Sequence, residues 1–239
     1  MQLLRSVLFA LGMTVSAVII ALLAVFVLPF SFTQRYRLIS QWARFNIWWL
    51  AKTCGLHYQV EGVENIPQGN GIVLCKHQSA WETLALQQIF PPQIWLLKRE
   101  LLMIPFFGWG LAMLEPIAIN RATGRQAIRQ LKTQGQKRLD DGRWVIIYPE
   151  GSRIAPGKKG KYAPGGAMLA AHSGYPVVPV AHNAGEFWPK NGFLKQPGTI
   201  RVVIGPQIDS EGKSAGEINQ LAENWIEQEM TKISAVNIK

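Results

Sequence analysis

"GIVLCKHQSAWETLAL", residues 71–86, carries the reading of this chain. GIVLC is a short apolar run with the character of a buried strand, and WETLAL opens a helical pattern. The passage from one to the other marks an α/β unit, and His77 stands at the junction with Glu82 five positions on and Ser79 between them. Five residues along a helix would turn the two side chains about 140° apart. They can meet only if His77 precedes the helix and Glu82 lies in its first turn. Ser79 as N-cap would give that arrangement, but S-A-W-E is also a capping box in which Glu82 serves the backbone alone. Both readings stand at this level.

The alternation continues outward. Strand-like runs are HYQVEG from His57, QIWLLK from Gln93, PIAIN from Pro116, WVIIYP from Trp144, YPVVPVA from Tyr175 and TIRVVIG from Thr199. Residues 123–142 read as a helix with Thr123 and Gln126 at capping-box spacing, an apolar stripe of Ile128, Leu131 and Leu139, and a terminating Gly142. Residues 214–233 repeat the pattern with Ser214 and Glu217, then Ile218, Leu221, Trp225 and Ile226. Strands alternating with helices predict an α/β sandwich around a largely buried sheet, in one catalytic domain spanning 56–239.

Before that domain, no side chain between Arg5 and Arg35 is charged. The stretch exceeds the roughly 20 apolar residues that cross a bilayer core. A cleaved signal peptide fits less well, because the apolar core is too long and no small-x-small site follows. Residues 1–55 are therefore expected to hold a membrane anchor and then an amphipathic helix. In that helix Leu38, Trp42, Phe45, Trp49 and Leu50 recur at three- and four-residue steps beside Arg37, Arg44 and Lys52. Its aromatic face could meet lipid headgroups or the domain core. Arg35, Arg37 and Arg44 after the anchor predict a domain on the cytoplasmic face.

The 239 residues carry a formal net charge of +10, which calls for an anionic partner. Beside a membrane anchor, anionic lipid or a phosphorylated substrate fits better than nucleic acid. Cys54 and Cys75 have no metal or redox spacing and read as packing residues. His57 and His172 also read as structural, whereas His182 and Asn183 are candidates to line a cleft. The chain lacks G-x-S-x-G, H-E-x-x-H, C-x-x-C and the P-loop pattern, which removes the simple serine hydrolase, zinc protease and nucleotide-triphosphatase readings.

Three strands end in basic residues: Lys98 at the end of QIWLLK, Arg121 after PIAIN, and Arg153 after WVIIYP, where Glu150, Gly151 and Ser152 intervene. Loops at strand C-ends of an α/β sheet converge on one crevice. Guanidinium groups there suit bidentate phosphate contact.

These blocks resemble the phospholipid and glycerolipid acyltransferase family, especially its 1-acylglycerol-3-phosphate acyltransferases. HQSAWE matches H-x-x-x-x-D, with Glu82 where Asp is usual. EPIAINR matches the second block, YPEGSR the F-P-E-G-T-R block, and VVPVA the V-P-V block. The resemblance implies an α/β fold with a mixed β-sheet flanked by helices, an N-terminal hydrophobic membrane-anchoring helix and an amphipathic helix. It implies His77 as general base with Glu82 as its carboxylate. Lys98, Arg121, Glu150, Gly151, Ser152 and Arg153 would serve the acceptor, with neither metal nor cofactor. The acyl donor would be acyl-CoA or acyl carrier protein, and the acceptor a lysophosphatidic acid at a bacterial inner membrane. Another lysophospholipid or glycerol-3-phosphate as acceptor, or a non-catalytic protein that binds anionic lipid, are the competing readings.

Overall fold

The computed structural model describes residues 1–236 and, within them, every side chain but those of Val25 and Arg121. Two long helices, α1 (Gln2–Phe26) and α2 (Phe32–Cys54), form an antiparallel hairpin. Then follow β1 (Leu56–Glu61), β2 (Ile72–Cys75), α3 (Trp81–Ile89), β3 (Gln93–Lys98), α4 (Phe107–Ala112), β4 (Ile117–Ile119), α5 (Arg125–Asp140) and β5 (Trp144–Ile147). The chain continues with α6 (Gly165–Ser173), β6 (Val177–His182), α7 (Ala184–Phe187), β7 (Gly198–Ile204) and α8 (Ala215–Ile233).

Among the described residues seven strands form one sheet in the order β1-β7-β6-β2-β5-β3-β4. Every pairing is parallel except β6 with β7, so the sheet is mixed, as expected. Side chains of β2 alternate between faces, as the period of a strand requires. Val73 and Cys75 join a core with α1, α2 and α3, while Ile72 and Leu74 join a second core with α5, α6 and α8. The chain leaves β2 through α3 on one face and leaves the neighbouring β5 through α6 on the other. Helices departing from adjacent strands to opposite faces open a crevice at the strand C-ends.

The hairpin belongs to the first core. Tyr36, Ile39, Ala43, Ile47, Leu50 and Cys54 of α2 are buried. The stripe read from sequence is thus rotated: Phe45 is exposed and Trp49 only half-buried. α2 has two apolar faces, one on the domain and one toward α1, and periodicity alone does not rank them. α1 lies close against α2 at Gly12, where a Cβ would run into Trp49 Nε1. Its opposite face, at Leu4, Leu11, Val15 and Ile19, is exposed. α1 is long and apolar enough to cross a membrane.

Helix α8 begins with the expected Ser214–Glu217 capping box, but its buried stripe is Ile218, Ala222, Ile226, Met230 and Ile233, with Leu221 outside. The Thr123–Gln126 box does not form. Thr123 sits in a 3₁₀ turn bonded to Asn120 O, and α5 starts at Arg125, burying Ala127, Leu131, Gly135 and Leu139. Cys54 and Cys75 are buried free thiols, in keeping with packing roles.

Candidate active site

His77 follows the C-end of β2, where the strand-end loops gather, and has 14 % of its side chain exposed. Its Nδ1 lies 2.7 Å from Oε1 of Glu82, which is fully buried. The same oxygen accepts the backbone N–H groups of Gln78 at 3.0 Å and Ser79 at 2.9 Å. The carboxylate thus holds the chain turning into α3 and contacts the imidazole at once, so Glu82 does not serve the backbone alone.

The turn differs from the expected box in one respect. Helix α3 starts at Trp81, with Ala80 rather than Ser79 in the cap position. The Ser79 hydroxyl donates to Trp188 O at 2.6 Å and accepts the Trp81 N–H at 3.2 Å, which ties the turn to the loop after α7.

Behind Glu82 lies His182, completely buried and 3.8 Å from Oε2. It does not line the cleft. Its Nε2–H donates to Lys76 O at 2.9 Å and its Nδ1 accepts the Ala184 N–H at 3.2 Å, a pattern that fits the neutral ring. Burial depresses its basicity further, against the pull of Glu82. Asn183 is likewise buried, bonded to Ile233 O and the Arg201 N–H. For Glu82 burial opposes ionisation, but the neighbouring imidazoles of His182 and His77 and the Ser79 N–H outweigh it. The carboxyl stays below its ordinary range. An ionised Glu82 fixes the proton of His77 on Nδ1 and leaves Nε2 as the basic atom.

The loop after β5 supplies the other wall. Tyr148 stacks on His77 with ring centroids 4.1 Å apart. Burial pushes its phenol well above the ordinary range. The Glu150 side chain is buried, pointing inward rather than toward an incoming ligand. Its Oε2 accepts the His77 backbone N–H at 2.9 Å and its Oε1 lies 2.7 Å from Lys76 Nζ. Burial raises the Glu150 carboxyl, opposed by Lys76 and that N–H. Gly151 turns the chain at φ 68°, in the left-handed region that a side chain disfavours. Ser152 is exposed and Arg153 half-buried, near enough to Tyr148 to act on it electrostatically.

Lys98 is exposed at the end of β3. The Arg121 side chain lies outside the described residues; its backbone opens the turn before α5. His57 and His172, read as structural, are both exposed. His172 borders a groove of about 330 Å³ between α5 and α6 with Arg125, Arg129 and Lys132.

Sequence reasoning missed Lys76, His182 as a buried partner of the Glu82 turn, and Glu227. Lys76 carried a signal in hindsight: a lysine that ends a four-residue apolar strand must find a partner wherever it is buried. Among the described residues no group of acids, histidines and cysteines is arranged to hold a metal ion.

The model of the acyltransferase family matches residues 57–183, which include the crevice walls after β2 and β5. A Pseudomonas aeruginosa protein named 1-acyl-sn-glycerol-3-phosphate acyltransferase is 48% identical over 98% of this chain and 93% of its own. A chloroplastic protein of Brassica napus with the same activity in its name is 28% identical over 97% of this chain and 68% of its own. The crystal structure of the 1-acyl-sn-glycerophosphate acyltransferase of Thermotoga maritima superimposes with a TM-score of 0.80 at 25% identity, covering 100% of this chain and 98% of that one.

Proposed function

The chain belongs to the acyltransferase family and is an O-acyltransferase, and we propose that it transfers a fatty acyl group from a thioester to the free hydroxyl of 1-acylglycerol-3-phosphate. The product is phosphatidic acid. The donor is acyl-CoA or acyl carrier protein, and no cofactor takes part. What carries the mechanism is the 2.7 Å pair of His77 Nδ1 with Glu82 Oε1. The choice of acceptor is supported by the near full-length similarity to the Pseudomonas aeruginosa protein of that name.

His77 Nε2 takes the proton of the acceptor hydroxyl as its oxygen attacks the thioester carbon. The carbonyl electron pair moves to oxygen and returns as the C–S bond breaks. The departing thiolate takes the proton from the imidazolium, so no acyl-enzyme forms. Glu82 stabilises that imidazolium and holds its tautomer. Arg153, Arg121 and Lys98 attract the acceptor phosphate, and Gly151 and Ser152 shape its loop. The protein sits on the inner membrane with the catalytic domain on the cytoplasmic side, a reading supported by the exposed apolar face of α1 and by Arg35, Arg37 and Arg44 in the helix that follows. Anionic lipid meets its basic surface.

Membranes containing the protein, given lysophosphatidic acid and labelled acyl-CoA or acyl carrier protein, should form labelled phosphatidic acid. His77→Ala should lower the rate by roughly 10²–10⁴. Label appearing only with a different lysophospholipid would reassign the acceptor, and full turnover by a folded His77→Ala protein would remove the base.

A further inference from the structure

Lys76 precedes His77 and has 1 % of its side chain exposed. A buried ammonium is expensive unless paired and hydrogen-bonded. Here two carboxylates meet it, Glu150 Oε1 at 2.7 Å and Glu227 Oε1 at 2.7 Å. The Tyr162 hydroxyl donates to the same Glu227 oxygen at 2.8 Å. A second tie, Lys159 Nζ to Glu223 Oε1 at 2.7 Å, fastens the same loop to α8 nearer the surface.

The backbone around Lys76 is held as firmly as its side chain. Its N–H donates to Val180 O at 3.0 Å, and its carbonyl accepts from His182 Nε2 at 2.9 Å. One residue on, the His77 N–H donates to Glu150 Oε2 at 2.9 Å, and the His77 carbonyl accepts the Ile154 N–H at 2.8 Å. Glu150 therefore links the Lys76 ammonium to the peptide that carries the imidazole.

We propose that Lys76 and Glu227 are positioning residues for His77. Glu227 of α8 fixes the Lys76 ammonium, which sets the Glu150 carboxylate where it grips the His77 N–H. The inference rests on His77 acting as the base. It assigns a role in the reaction to α8, which lies beyond the residues 57–183 matched by the family model. A purely structural ion pair would not need to share a carboxylate with the peptide of the base. This one does, and a displacement of about 1 Å at a reacting group is enough to cost roughly 10²-fold in rate.

Glu227→Gln tests it in the full chain, since the amide oxygen can still accept from Lys76 and Tyr162 while the charge is gone. The turnover number should fall about ten- to a hundredfold, with both KM values within about twofold, which marks loss of an interaction needed at the transition state. In protein labelled with ¹⁵N-histidine, the His77 amide resonance, assigned by its loss in His77→Ala, should move while those of His57 and His172 stay. Tyr162→Phe, a milder change, should move the same resonance in the same direction. An unchanged turnover number, or a fall that tracks the folded fraction with all histidine amides shifting together, would overturn the brace. If His77→Ala is inactive and Glu227→Gln normal, only the brace fails. If His77→Ala turns over normally, the base assignment fails and takes the brace with it.

Discussion

Glu82 Oε1 stands 2.7 Å from His77 Nδ1 while the same atom accepts two backbone N–H groups from the turn between them. One buried oxygen therefore shapes the loop and orients the imidazole. On the proposed mechanism stability and catalysis are coupled at this atom, and substitutions there should reveal both.

Glu82→Gln leaves one oxygen and places an amide N–H₂ where Oε2 now accepts the Ser79 N–H at 3.1 Å. Leaving buried donors face to face costs about 1–3 kcal/mol, so the melting temperature should drop. Activity should fall further, by roughly 10²–10⁴, because the imidazolium loses its counter-charge. Glu82→Asp keeps the charge and should retain much of the rate. Turnover numbers of folded protein check both, and an active Gln variant would remove Glu82 from the mechanism.

The pH dependence of stability has opposite signs at the two buried carboxyls. Glu82 is held below its ordinary 4.5. It therefore stabilises the fold above that value, and the contribution is lost as pH falls through the depressed folded value. Glu150 is raised, so its contribution is complete below the ordinary 4.5 and lost as pH rises through the folded value. The melting-temperature gap between wild type and Glu82→Gln should thus shrink on acidification, whereas the corresponding gap for Glu150→Gln should grow. A flat gap in either series would contradict the assigned shift.

Arg153→Ala should act on acceptor binding. A charge-assisted contact to phosphate is worth roughly 1.5–3 kcal/mol, so the KM for lysophosphatidic acid should rise by one to two orders of magnitude. The donor KM should hold. Steady-state kinetics with each substrate varied in turn decides, and the reverse pattern would move Arg153 to the thioester side.

Membrane binding should depend on the outer face of α1. Leu4, Leu11 and Ile19 are 63%, 58% and 53% exposed. Burying each such side chain in lipid is worth about 1.5–3 kcal/mol. The triple change to Gln should weaken flotation with anionic liposomes by at least roughly 10², with little change in melting temperature. Deleting residues 1–34 is a harsher test. It removes Phe9 from its edge-on contact with Trp188 and uncovers Trp49, so the shortened protein should lose stability and still adsorb partly through α2. Full solubility of that protein at low salt would leave α2 no lipid-facing role.

The sequence by itself determined the layered α/β class, the apolar first helix and the candidate pair His77 and Glu82. These follow from local periodicity and from residues five apart. The face that each amphipathic helix buries was only partly legible, because α2 and α8 carry apolar residues on more than one side and periodicity does not order them. Tertiary structure alone decided that Glu150 points inward, that His182 backs the Glu82 turn, and that Lys76 meets Glu227. The last pair is 151 positions apart. Such contacts depend on which strands lie side by side and where α8 crosses them, and no local pattern encodes that adjacency. The burial of Lys76 was decided in the same way: a lysine at a strand end is ordinarily solvated, and only the closure of α8 and the loop after β5 around it makes two carboxylates its nearest partners.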